Sequence, residues 1–326
     1  MNDKPSSPKA TKEVTVGRSL WRDAWARLFK DKTTVLCAAI ILLYGLLAIS
    51  AAVYDEVAAR SKIVPTFQEM KDYQHINEPP SFSSLHNILG TDWSGRSVLV
   101  KVLLGAKVSM TVGFIANAIA VPLGMLLGAI AGYCSGRRGG ILDDVIVWLY
   151  STLASIPGII LLIAIKFAFK GQTLPLVHVS LDGIHGLYIA LGIVSWIGTC
   201  RLVRAEVMKI RELDYVIAAR ATGRGGFAIL LRHVMPNVMH IAIISFSLGF
   251  VGAVQAEVIL SYLNLGVEVG TPSWGTMINS ARMDLYAGRW WELTAAVGAM
   301  FFLVLALNIF GDRLRDALDP RLKNVS

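Results

Sequence analysis

The chain has 326 residues, 54% of them hydrophobic and only 17% charged, which is too apolar for one soluble domain unless much of the surface faces lipid. A formal charge of +8 would suit nucleic acid only if the basic residues clustered on a soluble domain with interleaved aromatics, and no stretch supplies one. Cys37, Cys134 and Cys200 lie far apart, each in or at the end of an apolar run, so they read as buried thiols and give neither a disulfide framework nor a metal site.

From the amino terminus, residues up to about Gly17 are polar and rich in Lys, Ser and Pro, a composition expected to stay disordered. Ser19 to Lys32 then places Leu20, Trp21, Ala24, Trp25, Leu28 and Phe29 on one helical face, with Arg22, Arg27 and Lys30 elsewhere. This pattern predicts a helix lying flat on the cytoplasmic leaflet, a docking helix for a partner subunit being the alternative. Charge-poor runs of spanning length follow at Thr33 to Val53, Val108 to Cys134, Val145 to Ile165, Ile184 to Cys200, Asn237 to Ala256 and Leu293 to Phe310. Six spans are therefore expected, the fourth being short and interrupted by Gly186, Gly192 and Gly198. The first run is long and lacks a small-residue cleavage site after it, so it reads as a retained span.

Basic residues orient these spans. With the amino terminus inside, the cytoplasmic segments hold eight Lys/Arg before Thr33, Arg137 and Arg138, seven from Arg201 to Arg232 and four after Gly311, 21 of the 31 in the chain. Both termini are thus expected in the cytoplasm. Tyr54 to about Asn87 is a mixed polar loop with Pro65, Pro79 and Pro80, too long for a turn and too short for a strong core of its own. It leads into His86 to Met110, which carries Gly90, Thr91, Asp92, Gly95 and Arg96 just ahead of the second span.

Within the spans, Asn117 and Asn308 are expected to hydrogen-bond between helices, and Lys166 to extend outward. Asp143 and Asp144 open the third span, where acids favour the helix macrodipole. Pro122 and Pro157, with Gly124, Gly128 and Gly158, either kink helices around a pathway or allow close crossings. Gln255 and Glu257 lie in the fifth run. A carboxylate at membrane depth is costly unless it faces a cavity or a partner, so Glu257 is either a pathway residue or a structural acceptor.

Between the fourth and fifth runs lies a polar stretch with two short helical patterns. The first, Leu213 to Ala221, starts with Asp214 as N-cap and ends against Gly223, Gly225 and Gly226, which supply cheap positive φ. The second, through Phe227, Ile229, Leu230, Leu231 and Val234, is expected to stop before Pro236, whose ring disfavours helix at Met235. Two helices should meet at a sharp corner.

This corner resembles the EAA motif of ABC importer permeases, in which a short coupling helix sits in a cleft of the ATPase. The matching positions are Ala218, Ala219, Gly223 and Pro236, with Arg220 and Arg224 beside them; Ile217 stands where the family usually has Glu, which removes the reciprocal half of a capping box. Gly90, Thr91, Asp92, Gly95 and Arg96 resemble the GTDxxGRD segment of the peptide/nickel branch, with Ser97 in place of its Asp. Leu263 to Gly275, keeping Pro272, Ser273, Trp274 and Gly275, resembles that branch's LGLGxxPPxPSWG loop. Asn308 to Arg321, with Gly311 and Asp312, resembles its NLxGDxLRDxLDPR tail. From about Leu89 to Arg321 the chain is identified as a member of the binding-protein-dependent permeases, the C-type subunit of oligopeptide or dipeptide importers.

That resemblance implies an all-α membrane protein of six transmembrane helices, the type I ABC importer transmembrane domain with a cytoplasmic coupling helix, in the inner membrane of a prokaryote. Its expected divisions are a cytoplasmic tail and interfacial helix at 1–32, the first span and extracytoplasmic segment at 33–104, the permease domain at 105–311 and a cytoplasmic tail at 312–326. It implies as partners a homologous second permease, two cytoplasmic ABC ATPases, an extracytoplasmic solute-binding protein and membrane lipid. No GxxxxGK[ST] phosphate loop occurs, so ATP and its Mg belong to the ATPases and this chain binds no cofactor. With neither HExxH nor GxSxG and with six scattered histidines, no catalytic residue and no metal ligand is expected. Peptides are the first choice of solute; nickel, glutathione and other small solutes travel through sister permeases. A proton-coupled carrier would show internal repeats and paired midplane charges, which are not evident, and a scaffold without transport has no use for a glycine-broken corner.

Overall fold

A computed structural model describes residues 28–61, 63–136, 140–174, 179–268 and 270–318. Most of the expected interfacial helix, Arg137, Arg138 and the chain after Leu318 lie outside the described residues. Helix α1 (Lys32–Arg60) opens on Asp31, whose carboxylate accepts from the Thr33 N–H at 3.2 Å and from the Thr33 and Thr34 hydroxyls. A segment of turns with one 3₁₀ turn (Leu85–Asn87) leads to α2 (Val98–Cys134). Next come α3 (Gly140–Ala154), α4 (Gly158–Ala168) and a small antiparallel pair, β1 (Thr173–Leu174) and β2 (Val179–Ser180), with Thr173 opposite Ser180. Helices α5 (Gly183–Ile210), α6 (Asp214–Ala221), α7 (Gly226–Tyr262), α8 (Trp274–Tyr286) and α9 (Trp291–Leu318) complete the fold.

Five of these helices have spanning length and composition: α1 with 29 residues, α2 with 37, α5 with 28, α7 with 37 and α9 with 28. At 1.5 Å per residue each exceeds the roughly 30 Å of hydrocarbon. Counted as one span, the bent pair α3 and α4 brings the candidate crossings to six. The fourth run, for all its glycines, is one continuous helix.

Two expected boundaries are corrected. Val145 to Ile165 is not one helix: the chain breaks after Ala154 and α4 leaves at 96° to α3. Pro157 has no N–H to donate and pushes Ile156 away from helical backbone, and it sits before α4 with ψ 125. The fifth span, conversely, does not begin after Pro236. Leu230–Val234 forms a π-helical turn, Met235 is helical at φ −55, ψ −44, and its N–H bonds Leu230 O. The widened turn accommodates the proline without ending the helix, so α7 starts at Gly226.

The centre of the molecule is the pairing of α2 with α5, the most extensive between any two elements. Gly124, Gly128 and Gly132 form a ridge at four-residue spacing. A Cβ on each would lie 2.7, 2.6 and 2.6 Å from the carbonyl oxygens of Trp196, Cys200 and Arg204, three positions at the same spacing along α5. The backbones therefore touch, as small residues permit in lipid, where packing rather than water release joins helices. At Gly124 and Gly128 the close-crossing reading is the one realised, and α2 runs unbroken through Pro122. Toward the start of α2, Val98, Phe250, Val254, Trp274 and Leu303 form one apolar cluster; toward the corner Val121, Val207, Val216, Ile229 and Val234 form another.

The polar residues of the spans bond differently from expectation. Asn117 Nδ2 donates to Gly113 O and Asn308 Nδ2 to Val304 O, each within its own helix, so neither joins two helices. A helix supplies a carbonyl one turn back, which a side-chain amide reaches without any neighbour. Lys166, in the last turn of α4, is half-buried, and its ammonium donates to Gly183 O at the start of α5. Asp143 lies in the first turn of α3, as the macrodipole favours, and is also paired with Arg204 of α5 through two bonds of 2.6 and 2.8 Å.

Gly128→Val puts a branched side chain into the α2–α5 contact, where overpacking costs about 1–3 kcal/mol. The expected outcome is a loss of monodisperse protein on size-exclusion chromatography and a lowered melting temperature. Gly198→Ala, on the open side of α5 with nothing within 4 Å, should leave both unchanged.

Candidate functional site

The corner is built from α6, the glycine stretch and the start of α7. Leu213 is the N-cap of α6, in extended backbone at φ −76, ψ 146, and makes no side-chain cap. Asp214 is the first helical residue and caps nothing, contrary to its expected role; its charge still sits at the positive end of the helix. At the other end Gly223 N–H bonds Arg220 O at 3.0 Å and Gly223 takes φ +78, the left-handed conformation that ends the helix. After Gly225 the chain re-enters helix.

The two faces of this corner differ. Val216, Ile229, Val234 and Val238 are fully buried against Val203 and Val207 of α5 and Met125 and Ala129 of α2. Outward, Tyr215, Ile217, Phe227 and Leu231 are exposed at 44, 46, 73 and 49%, beside exposed Ala218, Arg220 and Arg224. Ala219 is half-buried and Pro236 exposed. The structure thus brings Ala218, Ala219, Arg220, Gly223 and Arg224 onto one turn-sized element, with Pro236 apart from it, several residues into α7.

Two contacts that fix the corner were not anticipated from the sequence. Arg211, just before α6, donates through Nη1 to the carbonyls of Gly132, Tyr133 and Ser135, closing the carboxyl end of α2. Asn237 Nδ2 donates to the Tyr215 hydroxyl at 3.1 Å and joins α7 to α6. Nothing local in sequence marks either partnership, because the carbonyls capped by Arg211 lie 76 to 79 residues earlier.

At the opposite end, Asp92 organises the segment between α1 and α2. Its Oδ1 accepts the N–H groups of Ser94 at 2.8 Å and Arg96 at 2.9 Å, and its Oδ2 accepts from Arg96 Nε and Lys101 Nζ, each at 3.0 Å. Lys101 Nζ also donates to Glu292 at the start of α9. Burial by itself would raise the Asp92 carboxyl, but the Lys101 ammonium, the Arg96 N–H and the Arg96 guanidinium outweigh it and hold the group below its ordinary value. Thr91 Oγ1 donates to His75 O and accepts the Glu78 N–H, while its carbonyl accepts the Trp291 indole. Gly90 and Gly95 both take φ +75, and a Cβ at Gly95 would fall 1.6 Å from Asp72 O, so only glycine fits.

The remaining motif residues hold helices together. Trp274 is fully buried, its indole N–H donates to Val102 O at 3.0 Å, and Ser273 with Thr276 forms a capping box that starts α8 just after half-buried Pro272. Gly311 lets α9 approach α7, since a Cβ there would lie 2.8 Å from Ser247 Oγ; Asp312 is exposed. Glu257 is completely enclosed, accepting from Ser261 Oγ at 2.8 Å and Ser109 Oγ at 3.2 Å, whereas Gln255 is exposed on another face of α7. Among the described residues no three His, Cys, Asp or Glu side chains come together as a metal site would require.

Comparison with known proteins agrees with this geometry. Residues 121–324 match the model of the binding-protein-dependent transport system inner membrane component, and residues 19–80 that of the N-terminal TM domain of oligopeptide transport permease C. The chain is 30% identical to the dipeptide transport system permease protein DppC of Bacillus subtilis (strain 168), over 94% of this chain and 87% of that one. It is 32% identical to the oligopeptide transport system permease protein OppC of Haemophilus influenzae, over 94 and 90%, and 31% identical to the glutathione transport system permease protein GsiD of Pectobacterium atrosepticum, over 94 and 93%. A chain of the inward-facing MetNI methionine ABC transporter shares the fold, with a TM-score of 0.50 at 19% identity over 68% of this chain and 96% of that one. The chain therefore belongs to the binding-protein-dependent transport system inner membrane components, as a non-catalytic multi-pass permease of an ABC importer in the peptide and glutathione group, with ATP handled by partner ATPases and solute brought by a binding protein.

Proposed function

We propose that this chain forms half of the pathway through which an ATP-driven importer takes up di- or oligopeptides, and that its cytoplasmic corner, Leu213 to Pro236, is where ATPase motion enters the membrane. The observation that carries the reading is the two-faced corner. One side is locked by Val216, Ile229 and Val234 into the α2–α5 core, and the other presents Tyr215, Ile217, Phe227 and Arg220 to a partner. A body pushed on the outer face moves the core with it.

In this reading a homologous second permease lies alongside, two ATPases lie below, and the termini are cytoplasmic, in keeping with the distribution of Lys and Arg. Residues 105–311 serve as the permease domain proper, between the segments 1–32, 33–104 and 312–326. ATP binding closes the ATPases, their clefts carry the corners, and the spans rock from inward to outward access. The break between α3 and α4 supports a pathway position. Ser155, Ile156 and Pro157 are exposed on the surface of this chain, in non-helical backbone within a spanning pair, which bare lipid does not tolerate. Glutathione is the second solute, because one relative at 31% identity carries it in its name.

Gly223→Val should insert normally but lower both ATPase retention and uptake, since a branched residue at φ +78 costs about 1 kcal/mol or more and turns the outer face. Thr222→Ser should behave as wild type in the same co-purification and uptake assays; full retention and uptake in Gly223→Val would remove the corner as docking element. Cytoplasmic reporters fused after Arg138, Arg211 and Arg321 should be active and those after Lys71, Gln172 and Gly270 inactive, activity at Gln172 being incompatible with six crossings. Glu257→Gln keeps a partner for the Ser109 and Ser261 hydroxyls, so complex yield and most uptake should persist; normal yield without uptake would instead assign Glu257 to the pathway.

A further inference from the structure

In the orientation proposed above, a cavity of about 380 Å³ opens at the outer end of the chain, between the segment joining α1 to α2, the stretch before α8 and α8 itself. Among the described residues its lining contains three cations, Lys71, Arg96 and Lys101, and no carboxylate. Asp92 and Glu292, which pair with Arg96 and Lys101, stand outside the lining and fix those two cations in place. Lys71 is exposed and has no ion-pair partner among the described residues. The Arg96 guanidinium spends Nε and Nη2 on Asp92 and lies 4.6 Å above the Phe67 ring.

The neutral groups of the lining add hydrogen-bonding capacity. Ser94 borders the cavity but is fully buried, so its hydroxyl is closed to a solute. Asn279 Nδ2 donates to Asn264 Oδ1 at 2.8 Å, which leaves the Asn264 amide nitrogen unspent. Gln68 packs against Gly270, where a Cβ would lie 2.7 Å from its Nε2 and φ is +94, so this loop passes close enough to close one side of the cavity. Trp93, Val267 and Met277 supply apolar wall.

We propose that this cavity is a binding site for the carboxylate end of a small organic solute, held by Lys71 and Arg96, with an apolar substituent against Trp93 and Met277. The exposed and unpaired Lys71 ammonium selects an anion, and Arg96, with Nε and Nη2 spent on Asp92, keeps Nη1 for a carboxylate oxygen. The volume lies at the small end of the range of roughly 300–1,000 Å³ for ligand pockets, enough for a dipeptide-sized molecule or the end of a longer one. The site rests on the permease reading above and narrows it: a solute released at the outer face meets this chain carboxylate first, and a bare metal cation is disfavoured there.

The test measures binding of radiolabelled alanyl-phenylalanine to the assembled transporter in nanodiscs, without receptor and without nucleotide. Saturable binding is expected, with the C-terminal amide of the same dipeptide competing about tenfold less well, a loss near 1.4 kcal/mol. Lys71→Gln and Ser280→Trp, the latter placing a bulky ring at the exposed rim, should each weaken binding to a similar degree, with complex yield as the folding control. Equal competition by acid and amide, absence of saturable binding, or wild-type affinity in both variants overturns the proposal. Impaired receptor docking in Lys71→Gln without any dipeptide binding overturns it too, and gives the cavity to an acidic side chain of the receptor. Receptor-dependent uptake measured in parallel separates the two readings: uptake without binding here removes the site and leaves the permease role, whereas binding here without uptake of any carboxylate solute removes the solute assignment and leaves the site.

Discussion

In hydrocarbon every backbone N–H and C=O must find its partner inside the protein, and this constraint governs the chain from Lys32 to Leu318. It makes the spans helical and leaves packing, not expulsion of water, to join them. The Gly124, Gly128 and Gly132 ridge answers with backbone contact against Trp196, Cys200 and Arg204, which makes α2 and α5 one rigid body. The same constraint singles out the exposed turn at Ser155, Ile156 and Pro157 as a place that needs protein or water beside it.

Charge is used at the two ends of that body. At one end, Asp92, Arg96, Lys101 and Glu292 tie the segment between α1 and α2 to the first turns of α2 and α9. Buried pairs of this kind contribute less to net stability than to a unique geometry, because desolvation offsets much of their attraction, yet removing one member leaves an uncompensated charge. At the other end, Arg211 closes the carboxyl end of α2, and Arg204 holds α3 through Asp143. Both arginines belong to the stretch of chain that leads into the corner.

Whatever depends on neighbours in sequence was legible there. Five spans follow from apolar length, and the corner follows from Gly223 because left-handed backbone after a short helix is a local property. Proline was read less well in both directions. Pro157 broke a run whose length argued for one helix, while Pro236 was absorbed by a π turn that no composition rule foretells. Asn117 and Asn308 turned to their own helices because the nearest carbonyl is always one turn back. Asp92 stood out as part of a segment, but its connection through Lys101 to Glu292, 191 residues beyond that lysine, exists only once α2 and α9 are side by side. Arg211 and the Ser94 cavity were hidden for the same reason.

The account stands or falls on the environment of the break between α3 and α4 in the assembled transporter. A spin label on Ser155→Cys, in a background whose three native cysteines are alanine, reports that environment through its relative relaxation by oxygen, which partitions into lipid, and by a water-soluble nickel chelate. Low oxygen access, with or without chelate access, is the predicted result, since the turn then faces a second subunit or an aqueous pathway. High oxygen access typical of lipid would contradict it.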